Sequence, residues 1–265
     1  AGVDPAAIKT WDDFMAACQT IVDSGAAPYC FAPSAKYPGN FYYNWGTMVA
    51  SHGEELFNED GTFINGEAAL AAMQMIGDGT ANGLLDPAGI AQDDYETLIS
   101  FGAGNSAFLL DSSWAVTQAN RNPDLSGITD NAGMILIPGG SGTESGGYLY
   151  AGGLGVLKSS AHMQEAKQFL AKLTDEEMQK HHAIEGANLP TRLALYEDPD
   201  IAAAWPGFDI LAAQLPYGKF PPQYGWFEEW RRSAATAVQD VMGERKSPEE
   251  ALQWLSEETG RLSAE

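Results

Sequence analysis

Between Thr10 and Ala32 the chain writes out one complete helix-to-strand unit, and this constrains the fold more than any other stretch. Trp11, Phe14, Met15, Cys18, Ile21 and Val22 recur at helical spacing on one face. Thr10 stands at the N-cap and Asp13 at N3, the arrangement of a capping box. Gly25 ends the helix, and the short apolar run Pro28 to Ala32 reads as a strand entering the interior. A second unit repeats this order: a helix over Tyr95 to Phe101, the turn Gly102-Ala103-Gly104, and the strand-like run Ala107-Phe108-Leu109-Leu110 leading into Asp111-Ser112-Ser113-Trp114. Helices laid against short buried strands are the expected pattern.

Other segments fill in the order. Tyr42, Trp45, Met48 and Val49 suggest a helix, Phe57 to Phe63 a surface hairpin around Asp60-Gly61, and Ala69 to Ile76 a long helix that Asn65 can cap. Met134 to Ile137 reads as a buried strand stopped by Pro138-Gly139-Gly140. Tyr148 to Leu157 is apolar but carries Gly152, Gly153 and Gly155, which suits either a strand closely approached by other backbone or ligand, or ordinary packing on a helix. Beyond it the chain is mainly helical. Ser160 opens one helix, Thr174 with Glu177 caps a second, a third runs from Phe227 to Met242, and Ser247 with Pro248 and Glu250 opens the last.

The balance of charge narrows the partners. There are 36 acidic and 14 basic side chains, a formal charge of −22, so polyanions are repelled and neither nucleic acid nor anionic membrane is a fitting partner. Solubility and adaptation to a saline or acidic medium both account for that charge. No apolar run reaches the roughly 20 residues of a membrane helix, and Ala1 to Lys9 has no signal-peptide character. Cys18 and Cys30, one on the first helix and one on the following strand, fit either a disulfide or two small buried thiols.

Catalytic signatures are lacking. His52, His162, His181 and His182 show no metal-ligand spacing, and no phosphate loop, nucleophile elbow or dinucleotide fingerprint occurs. No cofactor or metal is implied. Paired carboxylates of a carbohydrate-active enzyme remain the alternative, since so many acids leave some close together. Aromatic residues carry more information. Tyr42, Tyr43 and Trp45 follow a loop, Trp114 follows a strand and turn, and Tyr224, Trp226 and Trp230 follow Pro221-Pro222. Flat rings at such junctions, with Asp, Asn, Gln or Arg beside them, suit the apolar face and hydroxyl rim of a sugar.

The order of motifs resembles the sugar-binding branch of the family 1 extracellular solute-binding proteins, the maltose-binding-like receptors of bacterial ABC importers. Lys9-Thr10-Trp11-Asp12-Asp13-Phe14 looks like that family's Lys-Thr-Trp-Asp-Glu-Phe helix start. Phe101 to Phe108 is similar to its Phe-x-x-Gly-x-Ala-Met segment, with Trp114 at the usual tryptophan position. Gly152-Gly153, Leu173-Thr174-Asp175-Glu176-Glu177, the Gly186 to Pro190 turn and Ser247 to Leu252 extend the match over nearly the whole chain.

The resemblance implies an α/β fold of the type II periplasmic-binding-protein kind and a periplasmic, extracellular or lipid-anchored monomeric receptor that closes over sugar and is recognised by importer membrane subunits. It implies a second lobe made of residues 1–153 and 206–265, with 154–205 returned to the first lobe. Family members begin with a long strand-helix-strand portion that builds most of the first lobe. Here the Lys-Thr-Trp motif begins at residue 9, so the first lobe is expected to be incomplete. Carried over by resemblance, Tyr42 and Trp114 are stacking residues and Trp226 or Trp230 a third; Trp45, one of the aromatic residues that follow the same loop as Tyr42, is a further ligand-binding candidate. Gly152 and Gly153 are backbone that approaches the ligand, and Asp111 and Arg231 are hydroxyl partners.

Overall fold

The computed structural model describes residues 1–37, 41–140, 142–150, 152–186, 188–205 and 207–264, with backbone alone for 41–43. Helix α1 (Trp11–Asp23) starts as its sequence dictates. The Thr10 side chain accepts from Asp13 N at 3.1 Å while the Asp13 carboxylate accepts from Thr10 N at 2.9 Å. Its inner face, Trp11, Phe14, Ala17, Cys18 and Ile21, is buried against strand β1 (Tyr29–Phe31). Cys18 and Cys30 are joined, tying the helix to the strand, and closing a loop of this length contributes roughly 3 kcal/mol.

β1 lies at the centre of a small parallel arrangement. Strand β2 (Ser106–Phe108) pairs with it in the register Tyr29↔Ser106 and Phe31↔Phe108, and Leu85 bridges to Phe31 in the same sense. Parallel neighbours need crossovers, which helices α3 (Glu67–Ala81) and α4 (Asp94–Gly102) supply. The hairpin stands where expected, with Phe57 and Phe63 bridged antiparallel and Asn58 N donating to Thr62 O at 2.9 Å. Helix α2 (Phe41–Ser51), α3, α10 (Phe227–Met242) and α11 (Pro248–Ser263) pack together into the main core, where Trp45, Met48, Met73, Ile76, Trp230, Val238 and Leu255 are wholly or almost wholly buried. α10 has the predicted limits, and α11 starts from the predicted Ser247 cap.

Three local expectations are corrected. The N-cap of α3 is Gly66, not Asn65, and its first turn is served instead by the Glu54 carboxylate, which accepts from Ala68 N at 3.3 Å. Asp175, not Thr174, caps helix α7 (Glu176–Gly186), accepting from Met178 N at 2.8 Å, because the Thr174 hydroxyl donates back to Leu170 O at the end of α6 (Met163–Leu173). Met134 to Ile137 forms no strand: Ile137 N donates to the Gln214 side chain at 3.0 Å and Ile137 O accepts from Ser145, so its polar groups are satisfied without a ladder.

A separate small cluster forms from Ala183 of α7, Leu195 of a 3-10 turn (Leu193–Glu197), Ile201 of α8 (Pro199–Ala204), Trp205 at its C-cap and Phe208 of α9 (Phe208–Gln214). The Trp205 indole donates to Ala183 O at 2.7 Å and Tyr196 stacks on Phe208 at 5.2 Å. The chain leaves the main body after strand β3 (Gly147–Tyr148) and re-enters it at β4 (Gly218–Lys219), and the two pair in parallel. A Cβ at Gly218 would lie 2.3 Å from the Leu149 side chain, so this crossing needs glycine there. α6, between the crossings, buries no residue, and Phe169 is 64% exposed.

Candidate functional site

The best-defined part of the site grows from the end of β2. Asn44 of α2 donates to Leu110 O at 3.1 Å and accepts from Ser34 N at 3.3 Å, fixing the chain as it leaves the strand. Asp111 follows, half-buried, its carboxylate accepting from the Ser112 N–H. Burial pushes its carboxyl up to about 6, with the nearby Asp94 carboxylate adding to the rise and the Ser112 hydrogen bond opposing it. Helix α5 (Ser113–Arg121) then buries Ala115 and Ala119 against Leu98, which leaves Trp114 in its first turn 40% exposed. An exposed indole one turn from a half-buried carboxyl can stack on an apolar ring face and hydrogen-bond a hydroxyl at its edge.

The second part lies at the start of α10. Tyr224 and Trp226 stack face to face at 4.7 Å and 6°, resting edge-on against Phe57 of the hairpin at 5.8 and 5.5 Å. Both remain partly accessible. Arg231 pairs with Glu228 at 2.8 Å, and the Glu228 carboxylate also accepts from the Tyr37 hydroxyl at 2.6 Å. The Glu228 carboxyl is held below its usual range, chiefly by that Tyr37 hydrogen bond.

The nine site residues proposed from the sequence therefore fall into distinct places. Asp111 and Trp114 lie three residues apart at the start of α5, and Trp226 and Arg231 lie five residues apart at the start of α10. Trp45 and Trp230 have no accessible surface. Their rings lie 6.4 Å apart in the core, with indole N–H groups donating to Ala69 O and the Thr259 hydroxyl. They support the site from beneath and offer no face to a ligand. Gly152 and Gly153 are exposed, with open space where a Cβ would stand, beside Tyr150 at 80% exposure. The side chain of Tyr42 lies outside the described residues. Sequence reasoning missed Asn44, whose polar side chain amid Trp45, Met48 and Val49 was the available signal, and it missed the Tyr224–Trp226 stack as a unit. A hollow of about 760 Å³ between α3 and α11, lined by Leu70, Trp254 and several glutamates, shares no residue with either part of the site.

This arrangement, two helical clusters joined through a paired crossing with aromatic and carboxyl groups at strand-to-helix junctions, is a type II periplasmic-binding-protein fold. The maltose-bound MalE3 of T. maritima superposes with a TM-score of 0.85 at 22% identity, covering 98% of this chain and 67% of that one. A bacterial extracellular solute-binding protein model matches residues 1–180, and the chain belongs to that family. Among curated relatives, a probable ABC transporter-binding protein of Deinococcus radiodurans is 27% identical over 75% of this chain and 47% of its own length. The arabinooligosaccharide-binding protein of Halalkalibacterium halodurans is 28% identical over 75% and 44%. The chain thus spans about half the length of the curated relatives it matches.

Proposed function

We propose that this protein is the substrate-binding component of an ABC importer, capturing a sugar or oligosaccharide in a cleft between two lobes by aromatic stacking and hydrogen bonding, with no covalent step. Residues 1–153 and 206–265 make the second lobe and 154–205 return to the first. The small cluster supports a separate returning unit and carries it onward through Phe208 and Leu211. The exposed Phe169 face of α6 is available for the first lobe. The protein works as a monomer outside the cytoplasm, and ligand favours the closed arrangement that the importer's membrane subunits recognise.

The observation that carries this reading is the exposed Trp114 indole beside Asp111 at the start of α5. Trp226, stacked on Tyr224, supplies the third stacking position in preference to the buried Trp230. Gly152 and Gly153 leave open backbone at the crossing. The test is thermal unfolding against mono- and oligosaccharides, maltose and arabinooligosaccharides included. A sugar at 100 times its Kd stabilises by about 2.7 kcal/mol. Stabilisation without turnover supports the receptor. No response to any sugar from a protein carrying both lobes overturns it, and release of cleaved sugar transfers the reading to a carbohydrate-active enzyme using paired carboxylates.

A further inference from the structure

Arg121 occupies an unusual electrostatic position. It is the last residue of α5, and its guanidinium reaches out of that helix to two others: Nη1 donates to Ile184 O in the last turn of α7 at 3.1 Å, and Nη2 donates to Ala204 O, the final residue of α8. Two helices therefore turn their carbonyl ends toward one cation. The last four carbonyls of any helix lack partners within it, and the helix dipole makes that end negative, so a planar, permanently charged fork is well matched to the place. A small crevice lined by Val116, Thr117 and Trp205 runs beside it. A second junction is polar as well, with the Gln214 side chain bonded to Ile137 N, Ser145 Oγ and Gly146 O.

We propose that Arg121 is a positioning residue, a tether that fixes the α7–α8 unit against the helix bearing Trp114. Trp114 lies seven residues earlier on α5, roughly 10 Å along a rigid helix. In this arrangement the unit on the far side of the crossing is thereby held against the helix that carries the exposed indole, and the lobes part only when these two bonds are released. The tether itself stands without the sugar reading, and only its consequence for ligand capture rests on it.

The test uses the protein without ligand, so that failure of the sugar panel leaves it intact. In Arg121→Met, which keeps the aliphatic stem, amide-exchange protection over 183–186 and 201–205 should fall about tenfold, the loss expected for charge-assisted hydrogen bonds. Protection in α10 and α11 should stay unchanged. Arg121→Lys, whose ammonium cannot span both carbonyls, should fall between the two. Spin labels at Ala203→Cys and Glu257→Cys should give a distance distribution that shifts to longer distances in Arg121→Met. Unchanged protection over 183–205, an equal loss throughout α10 and α11, or an unaltered distance distribution would each overturn the tether.

Discussion

Asp111 and Trp114 stand three residues apart and invite opposite experiments. The carboxyl of Asp111 is raised from 3.8 to about 6 because burial disfavours its charged form. Below the unfolded value the group is neutral in both states and costs nothing. Between the two values the fold comes to hold a charge it solvates poorly, and above the folded value the full cost is present, about 3 kcal/mol from the shift and about 2 kcal/mol once partial exposure is allowed for. Asp111→Asn should therefore stabilise the protein at pH 7.5 by about that amount and leave stability at pH 3.5 nearly unchanged, as read from urea midpoints at the two pH values. A function-bearing group tolerated at a cost is the expected signature of a site. Trp114→Ala should hardly change stability, since the indole is exposed, but should weaken sugar binding by roughly 1 to 3 kcal/mol from lost stacking and burial. Titration calorimetry with the sugar that stabilises the native protein measures it, and unchanged affinity would remove Trp114 from the site. The two buried tryptophans were separable in principle. Trp230 heads the stripe Ala234, Val238 and Val241 on α10, a spacing that marks core, whereas Trp226 precedes the helix and escapes that periodicity.

Elements were legible where their signals were local. α1 and α11 carry caps, and α1, α10 and α11 a one-sided apolar stripe, within a single segment, and all three formed where the sequence predicted. The strands were less legible because their pairing is nonlocal. Nothing near Met134 says that Gln214 and Ser145 will take up the backbone groups a sheet would otherwise satisfy. The stretch from Tyr148 to Leu157 holds its strand only where Gly218 and Lys219 come alongside. The cap of α7 shows the same limit at short range. Thr174 and Asp175 are both competent caps, and the choice falls to Asp175 because the end of α6 engages the threonine hydroxyl. Asp175→Ala should cost about 1 kcal/mol. Thr174→Ala should cost less, its hydroxyl bond being a back-bond to the i−4 carbonyl. Urea titrations of the two variants decide the order, and a larger loss for Thr174→Ala would restore the cap read from the sequence.

At the scale of the molecule, charge is the least balanced term. Against 36 carboxylates there are 14 cations, several of them already shared between acids. Lys36 holds Asp93 and Glu96, Lys172 holds Asp175 and Glu177, and Lys180 holds Asp198 and Asp200. Salt acts on this surface in two directions. It weakens these ion pairs, but exposed pairs contribute only about 0 to 1 kcal/mol each. It also screens the long-range repulsion among the excess carboxylates, whose reach shrinks from about 10 Å at 0.1 M to about 3 Å at 1 M. With a net charge of −22, the repulsion outweighs the pairs. The Tm should therefore rise as sodium chloride is increased from about 0.05 M to about 1 M, steeply at first and flattening once the screening length falls below the spacing of surface charges. Potassium chloride should give the same curve, because screening depends on ionic strength and not on the cation. A Tm that falls with salt would mean that the shared lysines dominate the surface energetics, and a rise found only with strongly excluded salts such as sulfate would assign the effect to apolar burial instead.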